Sequence, residues 1–304
     1  MTTFLGLPAT SLDAVTAGDI VVLGVDDATP YEAGKRSHAA GGAGAIREAS
    51  RRYGDWHGHH DFDTSRPMLE PAGRRLLDAG DIATDPTTPA ANRQAIEAAV
   101  SGILGAGATP IVLGGDDSVP IPVFAAYREH GPIWIVQIDA HIDWRDERYG
   151  ERLGWSSPMR RASEMPWVAG MVQIGARGVG SARREEVEAA RAWGAHLVTA
   201  REVHEGGMVR ALAAVPAGAS VVCTLDCDGL DPSVMPGVVA LAPGGLSHWH
   251  IVDLFAHLAT RTRLVGFDLV ELAAERDPSG LTSLAAVRFI TLAIAAMARS
   301  EQKA

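Results

Sequence analysis

The chain has 304 residues, 47% hydrophobic and 21% charged, with 27 Lys and Arg against 37 Asp and Glu for a formal net charge of −10. That composition excludes wholesale disorder, and the acidic balance speaks against nucleic acid or anionic membrane as partner, since both require clustered Lys and Arg. No apolar run approaches the roughly 18 residues of a membrane span, and the start MTTFLGLPATSLDAV lacks the pattern of a signal peptide. Two cysteines make no disulfide scaffold, so a soluble protein of the cytoplasm is expected.

In chain order, continuous apolar runs predict strands at Ile20–Val25, Pro110–Gly114, Ile133–Ile138, Met171–Ile174, Val221–Leu225 and Leu264–Leu269. Runs of this kind, rather than alternating patterns, belong to strands covered on both faces. Helical patterns lie between them. In Asn92–Leu104 the residues Ile96, Ala99, Val100, Ile103 and Leu104 fall on one face, and Gly105 and Gly107 end that helix. Alternating strands and helices predict an α/β fold of three layers, helices on both sides of a mainly parallel sheet. With no linker, repeat or low-complexity tract, residues 1–304 are expected to form one domain. In such sheets functional residues collect past the C-terminal ends of the strands.

Two strand ends stand out. Ile133–Asp143 reads IWIVQIDAHID, so Asp139, His141 and Asp143 recur with period two as the apolar run gives out. If the chain stays extended, all three point the same way. VVCTLDCDGLDP places Asp226 and Asp228 on one face by the same spacing, with Cys223, Leu225 and Cys227 on the other as small buried hydrophobes. Four carboxylates and an imidazole at one sheet edge repel unless something positive holds them. Oxygen donors with an imidazole suit Mn²⁺, with Ni²⁺, Co²⁺ or Zn²⁺ within reach. The donors outnumber the needs of one ion, so two ions sharing carboxylates and activating a water are expected.

These segments carry a family resemblance. DAHID at 139–143 resembles the DAHxD motif of the ureohydrolases, the arginase and agmatinase family; LDCDGLDPSVMPG at 225–237 resembles their SxDxDxxDPxxxPG, and GGDDS at 114–118 their GGDHS. GVDDATPYEAGKRS, LLDAGDI at 76–82, VQIGARG at 172–178, PGGLS at 243–247 and GFDLVEL at 266–272 add matches, in order, along nearly the whole chain. The resemblance implies an arginase-like fold, a pair of divalent ions, commonly Mn²⁺, and hydrolysis of a small agmatine- or guanidinobutyrate-like guanidino compound to urea and an amine. It implies that Asp139 and Asp226 bridge the ions, that Asp143 binds one ion, and that His141 and Asp228 complete the other. Asp143 and Glu271 then act directly in catalysis, Glu271 holding the guanidinium through a charge-assisted pair. The resemblance also implies a homo-oligomer, a trimer or hexamer.

Three departures qualify this pattern. The histidine of GGDHS is Asp117 here, a shorter oxygen ligand with an added negative charge, expected to bind one ion directly. Asp116 beside it is expected to orient its neighbours. Trp155, in GWSSPMRRA, stands where relatives carry a loop histidine thought to pass a proton to the leaving amine; an indole cannot do so, but it can line a pocket and stack on a planar cation. PGVVALAPGG replaces the family's PGTGTPxPGG, so Val238 and Val239 should make one wall apolar. Arg145 is a candidate receiver for a substrate carboxylate.

His57, His59 and His60 with Asp55 and Asp61 read as a solvated loop, and His248 and His250 as solvent-facing residues at a helix start. Ser118 has no base beside it and is a poor nucleophile. Three functions therefore compete: a metal-dependent amidinohydrolase, a hydrolase of another guanidine or biguanide, and a non-catalytic subunit paired with an active homologue, which the two absent family histidines suggest.

Overall fold

The computed structural model describes residues 2–32, 34–69, 73–180 and 182–300, the side chain of Ser300 aside. Its strands are β1 (Ile20–Gly24), β2 (His60–Asp61), β3 (Arg66–Pro67), β4 (Leu76–Asp81), β5 (Thr109–Leu113), β6 (Ile133–Ile138), β7 (Val168–Ala176), β8 (His196–Thr199), β9 (Ser220–Asp226) and β10 (Arg263–Val270). Eight of them form one sheet in the order β4-β1-β5-β10-β9-β6-β7-β8, every pair parallel, while β2 and β3 form a separate antiparallel hairpin.

The continuous apolar strands have the expected cause. Successive residues serve opposite cores: Val21 and Leu23 of β1 join one, Ile20 and Val22 the other. The helices α2 (Pro89–Gly105), α3 (Pro120–Ala125), α4 (Pro158–Ala162) and α5 (Arg184–Trp193) cover the first face. The second face is covered by α1 (Gly42–Ser50), α6 (Ala200–Gly206), α7 (Met208–Ala211), α8 (His248–Arg261) and α9 (Leu281–Ser300). The result is a three-layer α/β/α sandwich. Cys223 and Cys227 are free, fully buried thiols in the second core.

Some expectations need correction. The 19 residues Leu281–Arg299 of α9 are long and apolar enough to span a bilayer, contrary to the sequence reading, but 78% of that window is buried inside the protein. The strands β4 and β8 were not expected. β4 carries Asp78, whose carboxylate is buried against Arg47 of α1 in a two-pronged pair of 2.8 and 3.0 Å, so its acid is an anchor rather than a break. β8 is a four-residue edge strand whose side chains stay half or fully exposed, so no apolar run marks it. His60 belongs to the β2–β3 hairpin rather than a loop. His248 and His250 are half-buried, not solvent-facing: His248 bonds Asp63 at 3.1 Å, and His250 packs against His204.

Candidate metal centre and cavity

The four central strands, β5, β10, β9 and β6, lie side by side and end at the same edge of the sheet. Their C-terminal ends deliver Asp117, Glu271, Asp226 with Asp228, and Asp139 with His141 and Asp143. All seven line one cavity of about 340 Å³ except Asp139, which is 1% exposed beneath it.

The convergence does not come from continued strands. β6 stops at Ile138, and Asp143 turns back with a left-handed φ of 49°. β9 stops at Asp226, and Cys227–Gly229 forms a 3₁₀ turn held by Asp226, whose carboxylate accepts from the Asp228 N–H at 2.7 Å. The extended-chain assumption therefore fails at both ends, and turns bring the carboxylates together instead. Gly229 makes the approach possible: a Cβ there would lie 2.7 Å from the Asp139 nitrogen. Glu271 also has a left-handed φ, 66°, the kind of backbone strain found where surrounding structure fixes a functional side chain.

Two sets of three donors emerge. Asp139, His141 and Asp228 offer ligand atoms within 4.8 Å of one another, and so do Asp117, Asp139 and Asp143. Asp139 belongs to both. Asp226 lies in neither set, although it lines the same cavity and its charge acts on Asp117. The His141 Nδ1 stands 3.3 Å from both Asp139 and Asp228. Among the described residues, His57, His59 and His60 join no such group.

The electrostatics ask for cations. Burial first, and then neighbouring carboxylates, raise Asp117, Asp139 and Asp226 well above the ordinary carboxylate range. Burial lowers the His141 pKa, but the bond to Asp228 and the charges of Asp228, Asp143 and Asp226 outweigh it and carry the pKa up to about 9. The Oδ2 atom of Asp117 is buried without a hydrogen-bond partner among the described residues. An orphaned carboxylate oxygen beside two donor sets that share Asp139 fits two divalent cations, and the donors present can hold them.

The supporting shell is a buried amide chain. Gln137 Nε2 donates to Asp139 and Asp143, both at 2.7 Å, while its Oε1 accepts from Gln173 at 2.5 Å. Gln173 in turn accepts from the Trp144 indole at 2.6 Å. Asp143 thus spends one oxygen on the protein and keeps the other for a ligand, while the second oxygen of Asp139 accepts the His141 N–H at 2.6 Å and keeps a lone pair for a ligand. Asp116 accepts from the Ser118 backbone and hydroxyl at 3.1 and 2.5 Å, and Ser118 Oγ accepts from the Thr29 N–H at 2.9 Å. These bonds orient the 114–118 loop, and they tie Ser118 into its structure.

The opposite wall is aromatic. Trp155 packs on Tyr31, ring centres 4.1 Å apart, and meets the His38 ring edge-on at 5.3 Å. Gly154 permits this, because any Cβ there would strike the Tyr31 ring. Val239 and Ala240 extend the wall, while Val238 is buried behind it. Arg145 lines the cavity, but its guanidinium is taken by Glu186 at 3.1 Å. Arg148 lies over the rings of Tyr31 and Tyr149.

Sequence reasoning missed His38, Tyr31 and Gln137. His38 Nε2 bonds the carboxylate of Glu271, whose other oxygen accepts the Asp117 N–H at 2.9 Å. Gln137 left a trace, the single amide in the apolar run IWIVQI. Tyr31 and His38 lie in an irregular loop; Tyr31 falls inside the matched segment GVDDATPYEAGKRS without standing out in it, and His38 directly follows that segment.

A sheet edge bearing carboxylates suited to two cations, facing an aromatic wall, is a site suited to metal-assisted hydrolysis. The arginase family model matches residues 18–295. The agmatinase of Halalkalibacterium halodurans is 32% identical over 251 residues, 82% of either chain. The guanidinobutyrase of Pseudomonas aeruginosa is 32% identical over 215 residues, 69% of this chain and 67% of that one. The solved structure of proclavaminate amidinohydrolase from Streptomyces clavuligerus superposes with a TM-score of 0.84 at 30% identity, covering 99% of this chain and 98% of that one. The chain belongs to the arginase family and is an amidinohydrolase of the ureohydrolase type.

Proposed function

We propose that this protein hydrolyses a small guanidino compound to urea and an amine, using two divalent cations at the edge of β5, β10, β9 and β6. The observation that carries the reading is the pair of three-donor sets sharing Asp139 at the base of the cavity. Asp117 and Asp143 would hold one ion, His141 and Asp228 the other, with Asp139 between them and Asp226 beside them. The oxygen-rich donor set favours Mn²⁺, with Ni²⁺ also accommodated. When bound, such a pair supplies an activated water and offsets the charge that builds at the reacting carbon.

The chain's own residues would do the rest. Glu271 keeps acceptor capacity beyond its bonds to Asp117 and His38, because each carboxylate oxygen has two lone-pair sites. It would take a guanidinium N–H and fix the planar carbon above the ions. Gln137 holds Asp139 and Asp143 in register. Trp155, backed by Tyr31, and Val239 would exclude bulk water and present flat or apolar surface to the substrate's tail.

That wall also selects. Arg145 is neutralised by Glu186 and offers no free charge for a carboxylate tail. Neither does Glu186 remain free for a distal ammonium. A compact or apolar guanidine suits the cavity better than agmatine. The buried free thiols accord with a reducing, cytoplasmic setting.

The test is urea release from a panel of guanidines and biguanides by the purified protein, stripped of metal and then loaded with Mn²⁺ or Ni²⁺. Turnover of a compact guanidine only when loaded is the expected result. A loaded protein that is inert alone yet stimulates a co-purifying homologue would instead establish the supporting-subunit role.

A further inference from the structure

Expelling an amine from a tetrahedral carbon requires a proton on the leaving nitrogen, because an amide anion is far too basic to depart at neutral pH. The cavity contains two imidazoles. His141 belongs to a donor set, and a histidine that holds a cation has no proton to give on that nitrogen. His38 is in neither set, lines the same cavity, and is half-buried. The other ring at this wall, Trp155, is an N–H donor without usable acidity.

His38 is held in place rather than waving at a rim. It sits in the loop between β1 and α1, where two consecutive aspartates following β1 pin the backbone on both sides of it. Asp27 accepts the Ser37 N–H at 2.6 Å, and Asp26 accepts the Gly41 N–H at 2.8 Å. The ring is packed against Trp155, and its Nε2 is bonded to Glu271. A carboxylate on one imidazole nitrogen fixes the tautomer and leaves the other nitrogen for chemistry. Nδ1 has no hydrogen bond to a described residue.

We propose that His38, oriented by Glu271, is the acid that protonates the leaving amine. This rests on the amidinohydrolase reading. Water adds to the guanidinium carbon; the bond from that carbon to the substituted nitrogen then breaks, with its electron pair going to nitrogen. That nitrogen takes a proton from His38. The proton that water gives up on adding passes to solvent and returns to the expelled amine, and the hydroxyl proton shed as the carbon becomes the urea carbonyl restores the imidazolium, so the two protons of the consumed water end on the amine and no further reactant is needed. One carboxylate, Glu271, thereby serves both ends of the bond that breaks: it fixes the guanidinium and holds the acid.

The charged groups around His38 suit an acid. Burial lowers its pKa, but Glu271 and, more weakly, Asp116 outweigh that and leave it raised, with Arg276 opposing. The imidazole therefore keeps its proton further into the neutral range than a free histidine does.

Two measurements decide. In the metal-loaded enzyme, His38→Gln keeps a hydrogen-bonding group at the position but cannot act as an acid. On alkylguanidines its kcat should fall about 100-fold or more, with KM and metal content near wild type. The loss should shrink for guanidines bearing a weakly basic leaving amine, such as an arylguanidine, and added imidazole should restore turnover in His38→Ala. Separately, in the unloaded protein, the His38 ring followed by NMR should titrate above an ordinary histidine, and Glu271→Gln should lower it. Wild-type kcat in His38→Gln, an equal loss for both leaving groups, or a His38 titration indifferent to Glu271→Gln overturns the role. Wild-type protein inert toward every guanidine overturns the amidinohydrolase reading itself, which is a different result from an active enzyme indifferent to His38.

Discussion

The two walls of the cavity differ in kind. The floor, from the ends of β5, β10, β9 and β6, is a set of buried carboxylates whose mutual repulsion makes it unstable in its own right. The facing wall, Tyr31, His38 and Trp155, is neutral or singly basic, packed ring on ring, and needs nothing bound to be stable. The difference separates two tasks. A floor that requires cations fixes the class of reaction, and a wall that is complete without a ligand sets which substrate fits and where its proton comes from.

Removing the shared donor should break the floor most completely. Asp139→Asn takes a ligand from both sets and leaves Gln137 facing a neutral amide. Bound metal should fall toward zero, and urea release should drop by about 1,000-fold, the equivalent of several kcal/mol of lost charge stabilisation. Metal analysis and a urea assay check this, while circular dichroism should show the sheet intact.

The floor also predicts a pH-dependent cost of stripping the ions. Asp117, Asp139 and Asp226 have raised pKa values in the folded chain, so each contributes stability in full below its ordinary range near 3.8 and loses it as pH rises from there through the raised folded value. Cations offset that loss, with about 2.7 kcal/mol at a hundredfold excess over Kd. The gap in Tm between loaded and stripped protein should therefore be larger at pH 8 than at pH 5. Metal affinity should climb with pH until His141 has given up its proton near 9. A gap independent of pH would mean that the carboxylates are not what the ions stabilise.

A smaller effect belongs to Asp117, which serves one set only. Asp117→Asn should lose about one metal equivalent at limiting metal and cost about 10- to 100-fold in rate, on the scale of perturbed metal sites. Equal loss from both sites would contradict the division into two sets.

The mildest change is expected at the other wall. Trp155→Ala should leave metal content alone and shift relative kcat/KM among guanidines by about 10- to 200-fold, the range for altered apolar contact in a pocket. Bulkier tails should gain and compact ones lose. A change in metal content instead would show that the two walls are not independent.

The floor was legible in the sequence because its residues sit directly after apolar runs, where DAHID and LDCDGLDP interrupt the pattern abruptly. What the pattern got wrong was the cause, since the period-two spacing suggested extended chain where the protein turns at Asp143 and Cys227. The wall was nearly illegible. Trp155 was visible only by its position after the first motif, and Tyr31 and His38 reach it from a loop more than a hundred residues away, brought there by packing on Glu271 and Trp155. β4 and β8 were hidden for related reasons, one because its buried acid is matched by Arg47, the other because an edge strand needs little apolar surface.

The central claim is that Asp139 lies between two cations. The most direct measurement is anomalous diffraction from crystals of the Mn²⁺-loaded protein, collected on either side of the manganese edge. Two peaks should appear, one among Asp117, Asp139 and Asp143 and the other among Asp139, His141 and Asp228, with an Asp139 oxygen about 2.0–2.2 Å from each, as for small divalent ions held by carboxylate. A single peak, or two peaks with Asp139 bound to only one, would contradict the account.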